Sequence, residues 1–147
     1  MQRILVCTDG EEHTLKAQEH AVTLAEQFRA SVMGLYVQSP FLKKFTHEIY
    51  AVNRNECCQH LDDSLRREGL EALEALQQRC AQRGVTYNSK IREGDIAEEI
   101  ISEASTGGYD LLIMGAKLLG NWRERLESVN VPLAVFKRAP IPMLFVR

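Results

Sequence analysis

Short apolar, β-rich runs alternate along this chain with stretches whose apolar residues recur at helical spacing, and this alternation constrains the fold more than any other feature. Arg3 to Thr8 reads RILVCT and is closed by Asp-Gly. Ala17, Ala21, Leu24, Ala25 and Phe28 then repeat along one face of a helix. Ser31 to Val37, SVMGLYV, is a second apolar strand, and VTYNSKIREG is a third that alternates more and suits an edge. Tyr109 to Gly115, YDLLIMG, is a fourth, apolar throughout, and IPMLFVR is a fifth. Leu61, Leu65, Ala72, Leu76 and Cys80 stripe the second helix. Gly69 is a weak point inside it, costing roughly 1 kcal/mol relative to alanine. Asp95 and Glu98 have the spacing of a capping box at the head of the third helix. A fourth helix is predicted from about Asn130 to Arg138, with Asn130 as its cap and Pro132 tolerated in its first turn.

A chain that alternates in this way builds a parallel sheet with helices on both faces. The first and fourth strands, apolar on both faces, belong at its centre. Residues 38–56 carry aromatics, Pro40 and no period, and read as a long excursion between the second strand and the second helix. A length of 147 residues suffices for one core, so residues 1–147 are expected to form a single domain. The net charge of -2 supplies no general drive toward nucleic acid or an anionic membrane, and neither is expected as a partner. The N-terminus lacks the long apolar region of a signal peptide, and no stretch has the length of a membrane-spanning helix, so a cytoplasmic protein is expected. Cys7, Cys57, Cys58 and Cys80 follow no disulfide or metal-ligand spacing, and no metal site is expected. Cys7 and Cys80 read as small hydrophobes, while the neighbours Cys57 and Cys58 bond to each other only with strain.

In an open parallel sheet, ligands bind beyond the carboxyl ends of the strands, where the winding reverses. Thr8-Asp9-Gly10, Val37-Gln38 and Gly115 stand at three such ends. Asp9 offers acceptors for a base or ribose; taken alone, an Asp that turns the chain and caps the first helix is the commoner case. The case for catalysis is poor. His13, His20, His47 and His60 are scattered, without a triad pattern; His13 follows the Asp9 turn with the crevice in reach, but a lone solvent-facing His is the commoner case. Glu98 and Glu99 are adjacent on a helix and point in different directions. No metal and phosphate set for phosphoryl transfer can be assembled. No catalytic residue is expected, and the chain reads as a binding protein rather than an enzyme.

The Asp-Gly turn after the first strand, LYV ending the second, GDIAEEI opening the third helix and DLLIMG ending the fourth strand resemble the universal stress protein family. The similarity covers essentially the whole chain and is most specific in EGDIAEEIISEAS and YDLLIMG. It implies an α/β, Rossmann-like fold of the adenine nucleotide alpha hydrolase kind. That fold is one open sheet of five parallel strands in the order 3-2-1-4-5, with the winding reversing between strands one and four. Asp9 and Gly115 would then flank one crevice. The resemblance also implies a homodimer formed through the last strand.

Members of that family that bind ATP share G-x2-G-x9-G-[ST] after the fourth strand. Gly115 matches the first glycine here, but the second falls on Leu118, and Gly120 comes two residues late. Counted from either position, the closing pair falls on Ser128-Val129 or on Asn130-Val131. A Cβ in place of the missing glycine obstructs phosphate from approaching the backbone and restricts positive φ. The stretch GAKLLGNWRERLESVNV therefore resembles a degenerate phosphate loop. Ser128 and Asn130 keep polar side chains beside a helix N-terminus, where the dipole favours an anion. Lys117, Arg123 and Arg125 are either compensating charge or a solvated basic face; Trp122 covers the crevice or, more commonly for its type, packs the loop.

The candidate nucleotide crevice is accordingly Asp9, Val37, Gly115, Gly120, Ser128 and Asn130. The expected function is that of a dimeric, stress-type binding or regulatory protein with weak or absent adenine-nucleotide binding and an unidentified protein partner. The alternative is a module that responds to ATP or AMP, with slow nucleotide hydrolysis weaker still. A response-regulator receiver is rejected, because its third strand must end in a phosphorylatable Asp and this one ends in KIREG.

Overall fold

Four consecutive buried residues, Ile4 to Cys7, make β1 (Arg3–Cys7) a strand with no solvent face, as the centre of a parallel sheet requires. The structure, a computed structural model, describes residues 1–39, 54–116 and 131–147, without the side chains of residues 54–62 and 65. After β1 come α1 (Glu12–Phe28), β2 (Ser31–Gln38), α2 (Arg54–Gln82), β3 (Tyr87–Glu93) and α3 (Ile96–Thr106). β4 (Leu111–Gly115), α4 (Val131–Phe136) and β5 (Met143–Val146) follow. The five strands lie in the order β3-β2-β1-β4-β5, and every pairing is parallel. Leu5 stands opposite Met33 on one side and Leu112 on the other, so β1 and β4 are both interior. The more polar β3 is at the edge, as its alternation predicts.

Alternate residues of β1 feed two cores. Ile4 and Val6 pack with Ala17, Ala21 and Ala25 of α1 and with Leu76 and Cys80 of α2. Leu5 and Cys7 pack with Ile100 and Ala104 of α3 and with Val135 of α4. Helices thus cover both faces. One residue of the predicted α1 stripe departs: Phe28 is 54 % exposed. It ends the helix, where Arg29 turns left-handed (φ 53°), and Ala30 is the next residue to enter the core.

Local signals fix the helix ends unevenly. Asp95 caps α3, accepting the Glu98 N–H at 3.0 Å. The reciprocal half of the box is replaced, because the Glu98 carboxylate pairs with Arg138 beyond α4. Described α4 is shorter than predicted: it ends at Phe136, and Lys137 and Arg138 form a turn. The predicted cap Asn130, the bulk of the 38–56 excursion and the Leu61 and Leu65 side chains lie outside the described residues.

Gly69 is not the weak point its helix propensity suggests. The Tyr36 ring of β2 lies against it, and an added Cβ would stand 2.7 Å from the ring's Cγ and closer still to Cδ1 and Cε1. Gly69→Ala should therefore destabilise the fold by about 1–3 kcal/mol, despite a helix-propensity gain of about 1 kcal/mol. Urea unfolding checks this. A more stable variant would show that the ring moves aside freely.

Candidate functional site

The carboxyl ends of β1, β2 and β4 open on one crevice of about 150 Å³. Asp9, Val37 and Gly115 all line it, so the structure brings together three of the six residues predicted for the site. The other three, Gly120, Ser128 and Asn130, lie outside the described residues, as do Lys117, Leu118, Trp122, Arg123 and Arg125. Leu35, Ile100 and Met114 give the crevice an apolar floor. Helix α1 supplies His13 and Thr14, and β1 continues into Thr8.

Asp9 turns the chain but does not cap α1. Its Oδ1 accepts the Glu11 N–H at 2.9 Å and the Thr14 hydroxyl at 3.2 Å, closing the turn in which Gly10 takes φ 84°. The helix starts one step later, with Glu11 at its N-cap and no side-chain cap bond. Behind Asp9 runs a buried polar chain. Gln18 Nε2 donates to Thr8 Oγ1 at 2.8 Å, and the Thr8 and Thr14 hydroxyls are 3.2 Å apart.

Gly115 has a structural reason to be glycine that is separate from any phosphate. The first turn of α1 packs on the end of β4 so closely that a Cβ at Gly115 would sit 2.8 Å from the His13 carbonyl carbon and 3.0 Å from the Thr14 Cα. The His13 carbonyl oxygen would be closer still. This packing also places the His13 ring at the crevice wall, between Asp9 (Nε2 to Oδ2, 3.5 Å) and Glu11 (Nδ1 to Oε2, 3.4 Å). His20 is exposed; His47 and the His60 side chain lie outside the described residues. The sequence marks Thr8 at a strand end and His13 within reach of the crevice, but singles out neither as a site residue, and Thr14 carries no signal. For His13 the available signal was its spacing, four residues after Asp9 across the start of a helix.

Near the floor, burial and then the Glu103 charge push the Cys7 thiol up, which keeps it an unreactive packing group. Burial pushes the Cys80 thiol up to about 11. Glu103 itself, on α3, is buried and accepts from Lys90 Nζ at 2.8 Å, Arg92 Nη1 at 2.7 Å and Tyr109 Oη at 2.8 Å. Burial raises its carboxyl, but the three hydrogen bonds outweigh that and hold it below the usual carboxylate range. Burial, then the bond to Glu103, push Tyr109 up to about 12. Glu98 and Glu99 do face different partners, Arg138 and Arg92.

The family model of the universal stress protein family matches residues 1–147. The chain belongs to the universal stress protein family. Universal stress protein MJ0531 of Methanocaldococcus jannaschii is 29% identical over 148 residues, covering 93% of this chain and 82% of that protein. Universal stress protein YxiE of Bacillus subtilis is 27% identical over 152 residues, covering 99% of this chain and 98% of that one. Solved structures of universal stress proteins share the fold. One from Burkholderia pseudomallei superposes with a TM-score of 0.75 at 25% identity, over 99% of this chain and 95% of that chain. A universal stress protein in complex with cAMP gives 0.72 at 22% identity, over 99% and 97%. A family protein of Arabidopsis thaliana with AMP bound gives 0.69 at 19% identity, over 99% and 91%.

Proposed function

We propose that this universal stress protein is a binding protein rather than an enzyme, and that its crevice takes the nucleoside part of an adenine nucleotide weakly. The observation that carries this reading is the convergence of Asp9, Val37 and Gly115 on one crevice where the winding of the sheet reverses. The apolar floor suits the flat face of a base, and the Asp9 carboxylate suits ribose hydroxyls. The fold shared with the cAMP and AMP complexes supports the same ligand class.

Three features hold the affinity down. The crevice, at about 150 Å³, is smaller than the ~300 Å³ at which ligand pockets usually begin. Asp9 presents a carboxylate to any phosphate in the crevice, and Glu11 adds a second one beside the His13 ring. Leu118 stands where the phosphate loop of ATP-binding relatives has glycine. Calorimetry should give a dissociation constant for ATP weaker than ~1 μM, about -8.2 kcal/mol. Whatever binding remains should fade with salt, since attraction from the charges of Lys117, Arg123 and Arg125 is screened within ~8 Å at physiological ionic strength. Tighter binding that survives high salt would overturn this reading.

A second reading rests on a different surface: a homodimer, in the cytoplasm, that meets a protein partner without nucleotide. Among the described residues β5 is an edge strand, and an edge presents backbone groups that can pair with another chain. Beside it Phe136 is 61 % exposed and Leu133 47 %, with the Phe136 ring 6.0 Å from that of Phe145. A two-fold partner would pair both edges and cover both apolar faces. Sedimentation should find a dimer at micromolar concentration and Phe136→Lys should weaken it. A native monomer would end the idea.

A further inference from the structure

The side chains at the crevice mouth point to a ligand of another kind. We infer that Asp9, Glu11 and His13 bind a divalent transition-metal cation of the zinc class. One donor atom from each residue lies within 4.8 Å of the other two. A metal bound at about 2.0–2.2 Å takes one ring nitrogen of His13, and the exposed carboxylate now beside the other must swing across to join it. The set combines two carboxylates with an imidazole, and imidazole favours zinc and its neighbours over magnesium or calcium.

The site has the support that ligating groups need. Asp9 Oδ1 is already occupied by the Glu11 N–H and the Thr14 hydroxyl, so Oδ2 is the oxygen presented toward His13. Such outer hydrogen bonds fix the orientation of a ligating carboxylate. The His13 side chain is only 21 % exposed, and its backbone is pressed against Gly115. The ring therefore stays at the crevice wall.

A second observation is independent of the three donors. Gln18 is fully buried, and its Nε2 donates to Thr8 Oγ1. Its Oε1 has no hydrogen-bond partner among the described residues. A buried polar atom left alone marks a place where water or an ion completes the network. This one lies a single hydrogen bond behind Thr8, which connects through Thr14 to Asp9. The polar chain thus runs from an unfinished buried end to the proposed cation. A nucleotide whose ribose takes Asp9 would compete with the cation for that carboxylate.

The full chain, stripped with a chelator and free of nucleotide, should bind one equivalent of Zn²⁺ by calorimetry. His13→Gln and Asp9→Asn should each weaken binding by at least about tenfold while unfolding normally, and His20→Gln should leave it unchanged. Excess Mg²⁺ should not compete. Co²⁺ reports the donors directly: its spectrum should lack the intense near-ultraviolet band of thiolate ligation. No zinc binding, or binding indifferent to His13→Gln, would overturn the proposal. So would a thiolate band abolished by Cys57→Ser and Cys58→Ser, which would assign the metal to that pair instead.

Discussion

Gly115→Ala should lower the thermal unfolding midpoint of the nucleotide-free protein by roughly 6–12 °C, the counterpart of about 3 kcal/mol in a domain of this size. The added methyl would meet backbone, namely the carbonyl of His13 and the Cα of Thr14. Backbone cannot swing aside as a side chain can, so relief requires the first turn of α1 to lift off β4. That places the cost at the upper end of the overpacking range. Gly84→Ala is the control, since Gly84 has a positive φ (66°) that Gly115 lacks, but nothing within 4 Å of an added Cβ. It should cost only the left-handed strain, about 1 kcal/mol. Differential scanning calorimetry on both variants decides the matter. Equal melting points for Gly115→Ala and the native chain would mean that this glycine serves only a ligand.

The same contact explains why part of the site was legible in the sequence and part was not. That β1 and β4 are interior could be read from RILVC and LLIMG, because a strand buried on both faces has no polar positions to spare. The Asp95 cap was legible because its partner is three residues away. Gly69 was misread because its reason is the Tyr36 ring, which only the docking of α2 on β2 brings to it. His13 read as more commonly solvent-facing for a related reason: what holds it at the crevice is the way α1 rests on Gly115. Asp9, Val37 and Gly115 were found because strand ends and the point of winding reversal can both be located in sequence. Glu103 looked like one more acidic residue in EEIISEAS, and its burial depends on cations carried by β3.

Glu103→Gln should cost about 3 kcal/mol near neutral pH and remove much of the protein's loss of stability in acid. The carboxylate is 3 % exposed and is the shared acceptor of Lys90, Arg92 and Tyr109. Breaking a buried pair leaves charge without compensation, typically at about 3–5 kcal/mol. The lower end applies here because Lys90 is 48 % exposed and can return to water, and Arg92 keeps Glu99. In the unfolded chain the carboxyl titrates near about 4.3; in the fold it is held lower. Above about 4.3 both states are ionised and the contribution is whole. Below it the unfolded chain binds a proton first, so stability drains away until the pH has passed through the lower folded value. Glutamine has no such proton, and that component of the slope disappears. A residual slope should persist from Asp110, whose carboxyl the backbone N–H groups of Gln2 and then Arg3 hold low. Urea unfolding of both proteins at intervals from about pH 3 to 7 measures the difference directly. The native curve should fall toward the variant's as the pH drops. Curves that stay parallel would mean that the Glu103 cluster holds its proton equally in both states, and that α3 is fastened to β3 by shape rather than charge.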